Sequence, residues 1–567
     1  MMTLPLKPPA GPHSLHALSL AVVCALGAWS AALPAAAQTP PDAGQLLREY
    51  QLRPALPALP SVPPLRVDEQ AAKPASGGVR FAVSQVQVTG STVFTAQQLA
   101  AEVGDLIGPH RGLDDLEAAA QRISGYYRDR GYTVARALVP AQDIRGGVVT
   151  ISVIEGALGK AVLDNQSALP AAQVKGMVDA LPIGQPVRTD ATNRALLLLG
   201  ELPGAGQVTG RLRPGDLLGS SELLVTVSPG KAVEGGLSLD NFGNRYTGAT
   251  RLSGQLAVNN PAGLADRLSL RGTTSDESLL FGRAAWDAPV GRDGLRLGVS
   301  TSASRYELAR EFAALQAHGT ASTAGVYATY PLLLTPEASV RLGSNLEKRW
   351  IRDHIDSSDS SVRKSTHAWV WDLSGERLDR LGGGGLTSWR VSPTFGRLSI
   401  DSAAALAQDS NSARTAGSYV KWTASLAREQ RLGNRLSLYG SVTAQQANKN
   451  LDSSEKFVLG GRYGIRAYPQ GEAAGDKGWL ASLELRRALM PGWQGSVFYD
   501  AGGVSINHRP YIAGTNQRRL SGYGIGLATS LDAFSVSATL AWRGGSAAPT
   551  SERDKSPRLW VQGTWSY

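Results

Sequence analysis

The stretch Phe534–Arg543 reads FSVSATLAWR, and every second residue, beginning with Phe534, is apolar. Successive side chains of a β-strand point to opposite faces, so this pattern predicts a strand with one apolar and one polar face. The same alternation occurs in residues 420–426 (VKWTASL) and 481–486 (ASLELR). A soluble sandwich also alternates, but it rarely places a charge such as Glu484 opposite so apolar a face. The pattern therefore favours a transmembrane barrel, whose strands face lipid on one side and the lumen on the other.

About sixteen such segments can be counted between residues 230 and 567, and single-chain bacterial barrels have an even number of strands. If the first strand starts in the periplasm, every even-numbered connection is a periplasmic turn. These turns are short and rich in glycine and proline: 289–293, 335–336, 382–385, 433–434 and 491–492. The external connections include the longer polar segments 401–417, 450–478, 507–517 and 544–556. The predicted fold is therefore a transmembrane β-barrel of about 16 antiparallel strands.

The chain ends RLWVQGTWSY, which places Leu559, Val561, Trp565 and Tyr567 on one face of a strand. This ending resembles the C-terminal signal by which outer-membrane barrels are recognised during assembly. Gly563 departs from the signal, because an apolar side chain is expected there. The resemblance implies a cell outer membrane of a Gram-negative bacterium, with the barrel-assembly machinery as a partner during biogenesis.

Residues 1–37 are typical of a signal peptide, with an apolar stretch before the A-x-A cleavage site Ala35-Ala36-Ala37. The only cysteine, Cys24, lies inside that stretch, so no disulfide is expected in the mature protein. No later segment has about 20 consecutive apolar residues, and no membrane-spanning helix is predicted. The formal charge is +10, but the basic residues are scattered, which argues against nucleic-acid binding.

Two small α/β units are predicted between the signal peptide and the barrel. Residues 38–52 contain a short helix with Asp42 as its N-cap, and residues 53–78 form a proline-rich linker. Residues 79–156 and 157–229 each read as β-α-α-β-β, which makes them an internal repeat. The predicted closing strands are 134–144 and 148–154 in the first unit and 208–212 and 221–227 in the second.

The run 125–156, GYYRDRGYTVARALVPAQDIRGGVVTISVIEG, resembles the POTRA domains of polypeptide-transporting outer-membrane barrels. The resemblance rests on Gly131-Tyr132, Pro140-Ala141-Gln142 and Glu155-Gly156, and an unrelated exported α/β domain is the alternative. With the helix, linker and barrel, the whole mature chain resembles the transporters of two-partner secretion, as in the filamentous haemagglutinin and haemolysin transporters. The implied domains are a signal peptide (1–37), an N-terminal plug helix (38–52), a linker (53–78), POTRA 1 (79–156), POTRA 2 (157–229) and a barrel (230–567) with an in-folded loop (450–478).

The connection 453–479, SSEKFVLGGRYGIRAYPQGEAAGDKGW, is too apolar for an ordinary solvated loop. In the resembling superfamily the sixth external loop folds back into the barrel, and its arginine contacts an acidic residue on the inner wall. The matching loop-tip residues are Ile465, Arg466, Ala467 and Tyr468, with Ala467 in place of the usual glycine. The resemblance thus implies an inward Arg466, and a solvated Arg466 in an open loop is the alternative.

The wall motif of the superfamily is matched by Phe498, Asp500 and Gly502. Alternation places these three residues on the lumen face of their strand, because Val497 and Tyr499 form the apolar face. The resulting hypothesis is an ion pair between the arginine of the loop tip and Asp500 inside the barrel.

The following strand carries a column of glycines on its lumen side, formed by Gly522, Gly524 and Gly526. Such a column has no side chains and predicts a lumen groove in which the in-folded loop lies. A simple taper of the barrel interior is the alternative interpretation.

No G-x-S-x-G, H-E-x-x-H or P-loop motif is present, so we predict no enzyme, no cofactor and no metal site. The resemblance implies a pore that recognises a large unfolded exoprotein, haemagglutinin- or haemolysin-like, and translocates it from the periplasm to the cell surface. The cognate exoprotein would bind through the POTRA domains, whose edge strands 134–144 and 208–212 add it to their sheets. The helix would act as a removable plug in a monomer surrounded by outer-membrane lipid.

Two alternatives stay open. A barrel-assembly insertase of the same superfamily usually has more POTRA repeats and lacks the helix and linker. The second alternative is a passive porin, and the two α/β repeats argue against it. Conductance with and without residues 38–75 distinguishes a plugged transporter from both.

Overall fold

The computed structural model describes residues 41–51, 66–67, 79–217 and 219–567. The predicted signal peptide and most of the predicted linker lie outside these residues. Helix α1 (Ala43–Gln51) is preceded by Asp42, whose Oδ1 accepts a hydrogen bond from the Gln45 amide at 2.9 Å, as an N-cap does. The two-residue strand β1 (Arg66–Val67) follows. Among the described residues, no helix is both long and apolar enough to cross a membrane.

The first α/β unit contains five strands and two helices. They are β2 (Phe81–Val83), β3 (Gln85–Thr89), α2 (Ala96–Ala101), β4 (Gly108–Arg111), α3 (Leu113–Asp129), β5 (Arg136–Leu138) and β6 (Val148–Ile154). The main sheet has the order β3-β6-β5, with β6 parallel to β3 and antiparallel to β5. Leu99, Leu116 and Ile123 of the helices pack with Val149 and Ile151 of β6 in one buried cluster.

The predicted strand over residues 134–144 is wrong in its length, because only Arg136–Leu138 pairs with β6. Pro140 has no N–H to donate to a sheet. Beyond it, the side-chain amide of Gln142 takes the place of a backbone partner. It donates to the carbonyl of Thr150 at 2.7 Å and accepts from the amide of Thr150 at 2.7 Å. The Pro-Ala-Gln sequence therefore ends the strand and still clamps the chain to β6.

Glu155, just after β6, holds the turn that leads into α2. Its carboxylate accepts hydrogen bonds from the amides of Thr92 (2.8 Å) and Val93 (2.9 Å), from the hydroxyl of Tyr127 (2.7 Å) and from the Thr92 hydroxyl. Burial raises the pKa of a carboxyl group, but these hydrogen bonds outweigh burial and hold the pKa of Glu155 below its ordinary value. The unit is therefore stabilised by a charged Glu155.

We expect Glu155→Gln to destabilise this unit by about 1–3 kcal/mol at neutral pH, because an amide leaves buried donors unsatisfied. The folded pKa of Glu155 is depressed, so its contribution is present above the unfolded pKa and is lost as the pH falls through the folded pKa. Denaturant unfolding of a fragment of residues 79–229 at pH 7 and at acidic pH measures both effects. The variant should lose less stability on acidification than the parent, whereas exposed Glu102→Gln should behave like the parent. Equal acid sensitivity of Glu155→Gln and parent contradicts this account.

The second unit repeats the same plan. Its elements are β7 (Ala157–Asn165), α4 (Ala171–Val178), α5 (Thr189–Gly200), β8 (Ala205–Pro214) and β9 (Ser220–Pro229). The sheet order is β1-β8-β9-β7, so the linker strand β1 lies along β8. The pairing is parallel, with Arg66 opposite Arg211 and Val67 opposite Leu212. The edge 208–212, predicted to be open to a client, is therefore partly covered by the chain's own linker.

Sixteen strands close into an antiparallel barrel, which confirms the predicted number. The first eight are β10 (Val233–Asp240), β11 (Arg251–Asn259), β12 (Arg267–Ser275), β13 (Leu280–Val290), β14 (Leu295–Glu307), β15 (Ala317–Leu334), β16 (Ala338–Ile355) and β17 (Ser360–Asp379). The others are β18 (Gly385–Ile400), β19 (Gly417–Arg431), β20 (Leu436–Ala447), β23 (Lys477–Met490), β24 (Trp493–Ser505), β25 (Gln517–Leu531), β26 (Phe534–Arg543) and β27 (Arg558–Ser566). β27 pairs with β10 and closes the barrel. Helix α6 (Ala403–Ser410) lies between β18 and β19, and the short strands β21 (Phe457–Val458) and β22 (Ala474–Gly475) lie between β20 and β23.

Side-chain exposure follows the predicted alternation. On β24, Val497 and Tyr499 are exposed, whereas Phe498 and Asp500 are buried. On β25, Tyr523 and Ile525 are exposed as well. One face of each strand thus presents apolar side chains to the outside, and the other builds a packed, polar lumen.

The second α/β unit packs against the short turns at one end of the barrel. Glu201 accepts a hydrogen bond from Nη1 of Arg341 at 3.1 Å, and Nη2 of Arg194 donates to the carbonyl of Pro331 at 2.9 Å. Leu334 at the end of β15 and Ala265 in the turn before β12 join the buried apolar cluster of the unit. The long connections lie at the opposite end, which matches the predicted division into periplasmic turns and external loops.

Candidate functional site

The connection between β20 and β23 folds inward and packs on the barrel wall. β21 and β22 pair antiparallel and form the stem of this in-folded loop. The apolar side chains Leu459, Ile465 and Tyr468 have no exposed surface at all. They form one buried cluster with the wall residues Phe498 and Leu520. The apolar residues that are unusual in a solvated loop thus have a wall to cover, which explains their presence.

Arg466, at the loop tip, lies against Asp500 of β24. Nε is 2.9 Å from Oδ2 and Nη2 is 2.8 Å from Oδ1, so the contact is bidentate. The backbone amide of Arg466 also donates to Oδ2 at 3.1 Å. The arginine is 7 % exposed and the aspartate 0 %, so water screens the pair little. Bidentate arginine–carboxylate geometry fixes orientation as well as charge, and it determines where the loop tip lies.

Further groups hold the same arginine. The sequence places Phe498 on the lumen wall, but it does not predict the contacts of Arg466 with Glu484, Ser482 and Trp560. Nη1 of Arg466 donates to Glu484 Oε2 at 2.6 Å, and Nη2 donates to Ser482 Oγ at 3.1 Å. The carbonyl of Arg466 accepts from the indole of Trp560 at 2.7 Å. The guanidinium carbon is 3.3 Å from the ring centroid of Phe498, a cation–π contact. The alternation of β23 already placed Ser482 and Glu484 on the lumen side, and only the strand register shows that they reach Arg466.

Ala467 is tolerated because its backbone does not need a glycine. The φ angle of Ala467 is not in the left-handed region that favours glycine. Its methyl group faces Gly522, where a Cβ would lie 2.6 Å from the Cβ of Ala467. The alanine in the loop and the glycine in the wall are therefore complementary in shape.

The predicted glycine groove is shorter than expected. Of its three glycines, only Gly522 faces the loop, since a Cβ on Gly524 would meet the ring of Phe498 and one on Gly526 would lie 2.6 Å from Ser496 Oγ. These two glycines accommodate side chains of the neighbouring strand β24.

Gly502, in the wall motif, has a defined role beside the loop. A Cβ there would lie 2.7 Å from the Trp479 carbonyl and 2.8 Å from Cδ2 of Leu459 in the loop. The glycine therefore leaves space for the loop side chain against the wall.

The loop is also fastened to the neighbouring external loops. Glu472 is fully buried and accepts from the amides of Thr550 (2.9 Å) and Ser551 (2.8 Å). Asp476 is fully buried too and accepts from the amides of Leu451 (3.0 Å) and His508 (2.7 Å). Buried carboxylates therefore join the in-folded loop to the neighbouring external loops at that end of the barrel.

Helix α1 lies inside the lumen beside this loop. Its Ala43, Leu46 and Leu47 are at most 1 % exposed, and they pack with the lumen side chains Phe281 and Ile351. The sequence interpretation expected this helix to act as a plug, and these contacts describe how it fills the space.

The N-terminus of α1 is anchored by charge. Nζ of Lys364 on β17 lies 3.3 Å from Asp42 and 2.8 Å from Asp452, so one lysine bridges the helix and the in-folded loop. The amide of Ala43 donates to Asp353 of β16 at 2.9 Å. The hydroxyl of Ser453 in the loop also contacts Asp42.

The other side of α1 meets a second buried charge cluster. Arg48 donates to Gln445 of β20 at 3.1 Å and to the carbonyl of Ser454 at 3.4 Å. The adjacent Glu455 lies 3.0 Å from Arg349 and 2.5 Å from Lys421. The wall, the loop and the helix therefore share one polar network inside the barrel.

The comparisons with known proteins agree with this architecture. Residues 219–529 match the family "Haemolysin secretion/activation protein ShlB/FhaC/HecB", and residues 81–156 match the ShlB-type POTRA domain. The heme/hemopexin transporter protein HuxB of Haemophilus influenzae is 27% identical over 506 residues, which cover 86% of this chain and 89% of that protein. The outer membrane transporter CdiB of Dickeya dadantii is 24% identical over 84% of this chain and 85% of that protein.

A solved structure of CdiB from Escherichia coli is similar in fold, with a TM-score of 0.69. It is 22% identical, and the match covers 99% of this chain and 100% of that one. The family match covers more than half of the chain. The chain therefore belongs to the haemolysin secretion/activation family and is an outer-membrane transporter of two-partner secretion, with its POTRA domains in the periplasm.

Proposed function

We propose that the chain captures one large unfolded exoprotein, of the haemagglutinin or haemolysin class, and passes it through the barrel after α1 leaves the lumen. The domain assignment made from the sequence belongs to this proposal: a plug helix (38–52), a linker (53–78), two POTRA domains (79–156 and 157–229) and the barrel. The active form is proposed to be a monomer, because one barrel supplies one pore.

The position of α1 carries the proposal. The helix occupies lumen volume that an unfolded chain would need, and polar contacts hold both its start and its Arg48 side. Charged groups regain their hydration when the helix leaves the lumen, and this gain offsets the loss of its ionic contacts, whereas a fully apolar plug would gain nothing from water. A removable segment is therefore a better interpretation than a permanent wall element.

The capture step is assigned to the edges of the two POTRA sheets. In the first unit β5 is an edge strand next to β6. In the second, Arg66–Val67 adds to β8 in parallel, and this pairing supports an edge that accepts an extended segment. A client strand would pair with the same backbone groups by β-augmentation, and it would have to displace the linker from Leu212 and Arg211.

The decisive experiment is deletion of this gene in its host. The amounts of the large exoproteins in the periplasm and in the medium are then measured. One exoprotein should accumulate in the periplasm, and the wild-type gene should restore its secretion. Release of every exoprotein at normal levels without this chain overturns the proposal. Matched loss of many barrel proteins from the outer membrane would instead favour an insertase.

A further inference from the structure

Six basic side chains come together on the outward face of strands β14 to β18. We call them the outer basic patch: Arg305, Lys348, Arg352, Arg363, His367 and Arg397. The strand register aligns them in two rows. In one row Arg305 is opposite Thr320, which is opposite Arg352, which is opposite Arg363. In the other row Lys348, His367 and Arg397 are consecutive partners.

These side chains point away from the lumen. Lys348 and Arg352 flank Trp350 on the same face of β16, and Trp350 is 39% exposed on a barrel whose lumen side chains are mostly covered. His367 shares a face with Trp369, and Arg397 shares a face with Phe395, because residues two apart in a strand lie on one side. Both aromatic side chains are exposed. The basic groups therefore occupy the lipid-facing wall.

The patch lacks acidic partners. Within the described part of the chain, none of its six members forms an ion pair. Two carboxylates lie at the strand ends beside the patch, where Glu307 is opposite His318 and Asp356 is 3.7 Å from that histidine. Lys348 instead lies 5.2 Å from the ring of Trp350. The structure therefore leaves several positive charges on a lipid-facing surface without compensation by the protein.

The patch borders an apolar band. Consecutive register partners form a continuous row across the six strands β14–β19: Val299, Val326, Leu346, Trp369, Phe395 and Val420. This row, together with Lys348, His367 and Arg397, lines an open groove of about 840 Å³ on the barrel wall. The surface thus offers space for hydrocarbon directly beside positive charge.

The patch lies toward the external end of the barrel. β16 has 18 residues, whereas about 9–11 residues cross a bilayer, so its last third extends to the membrane surface or beyond. Arg352 is near the end of β16 that leads into the external connection, opposite to the end that contacts the second POTRA unit. Charged side chains on the lipid face are costly at the midplane and tolerated near the interfaces. The charges therefore face the headgroup layer of the outer leaflet.

We propose that the outer basic patch binds the phosphorylated glycolipid of the outer leaflet, of the lipopolysaccharide class. Its acyl chains would cover the apolar row, and its phosphates would lie against the guanidinium and ammonium groups. Arginine forks match phosphate oxygens in a bidentate way. The bound lipid would supply the counter-charge that the protein itself does not provide.

Native mass spectrometry of the full-length purified protein in detergent tests this proposal, with bisphosphorylated lipid A as the probe. The wild type should bind lipid A, and the triple variant Arg352→Gln, Arg363→Gln, Arg397→Gln should bind about tenfold or more weakly. The matched control is Arg519→Gln, an exposed arginine on the outward face at the external end of β25, away from the patch. Its affinity should equal that of the wild type.

Two further measurements show whether binding requires the phosphates of the lipid and whether free phosphate is sufficient. Dephosphorylated lipid A should bind as weakly to the wild type as lipid A binds to the triple variant, and inorganic phosphate should not compete at millimolar concentration. Equal binding of phosphatidylglycerol and lipid A, or unchanged lipid A binding by the triple variant, overturns the proposal.

The heat-dependent gel mobility of each variant reports whether its barrel is folded. If the triple variant does not fold, Arg352→Gln and Arg397→Gln are measured singly, and each should weaken lipid A binding. Wild-type affinity in both single variants would count against the patch.

Discussion

Arg466→Ala is expected to abolish secretion of the exoprotein while leaving the barrel folded. The substitution removes the cation that lies between the carboxylates of Asp500 and Glu484 and over the ring of Phe498. Breaking a buried ion pair costs about 3–5 kcal/mol, because the remaining charge has no partner. That cost lowers the ratio of docked to undocked loop by a factor of about one hundred to several thousand. Immunoblots of exoprotein in the medium and protease cleavage of residues 450–478 on intact cells measure the two consequences.

Substitutions of the different partners of Arg466 should not affect secretion equally. Asp500 is fully buried and accepts a bidentate contact, so Asp500→Asn should nearly match Arg466→Ala. Glu484 also receives Nε of Arg486 at 2.9 Å, so Glu484→Gln should have a smaller effect. Exchanging Arg466 and Asp500 is not expected to restore function, because the new carboxylate at position 466 would face Glu484. Arg519→Ala, which removes an exposed arginine on the outward face of β25, is the control and should leave secretion intact. Normal secretion and an unchanged cleavage pattern in Arg466→Ala would refute the role of the pair.

Deletion of residues 41–51 is expected to convert a mostly closed pore into one with a steady, high conductance in planar bilayers. The helix fills lumen space with buried side chains such as Leu46 and Leu47. Lys364→Met should produce frequent openings in the full-length chain. The substitution leaves Asp42 and Asp452 without the lysine that bridges them. Unchanged conductance on deletion of the helix would show that α1 does not block the pore.

A single added methyl group at Gly44 tests the same role of α1 in blocking the pore. A Cβ on Gly44 would lie 2.6 Å from the Cβ of Ser454 and 3.1 Å from Cδ1 of Ile351. Alanine favours an isolated helix by about 1 kcal/mol relative to glycine, but overpacking costs about 1–3 kcal/mol, so the docked helix should be weakened. Gly44→Ala should therefore open the pore more often than wild type. Gly125→Ala is the matched control, since a Cβ there meets nothing within 4 Å, and its conductance should not change.

The sequence alone is informative wherever the physics is local and periodic. Alternation with a period of two identifies the lipid face and the lumen face of a strand, and this pattern is sufficient to place Asp500 on the lumen side. Turn residues and connection lengths yield the number of strands and the direction of the long loops. The motif around Arg466 adds the expectation that the loop folds inward, and this expectation comes from family resemblance rather than from the residues themselves.

Contacts between residues of different strands cannot be predicted from the sequence in the same way. Glu484 contacts the loop tip from β23, next to the strand of Asp500, whereas Trp560 contacts it from β27, three strands away, and both contacts depend on the stagger between strands. One chain's pattern does not specify that stagger, because the connecting loops vary in length. The parallel pairing of Arg66–Val67 with β8 escapes sequence analysis for a related reason, since a two-residue strand in a proline-rich linker has no periodicity.

The sequence by itself therefore determined a sixteen-stranded barrel, two α/β repeats, a helix that starts after Asp42 and the two faces of each strand. Each of these depends on the order of neighbouring residues. Only the tertiary structure decided that Lys364 joins Asp42 to Asp452, that Gly522 receives Ala467, and that six scattered basic residues form one outward patch. These groups are distant in the chain, and they meet only because closure of the barrel sets the register and brings the loop and the helix into one lumen.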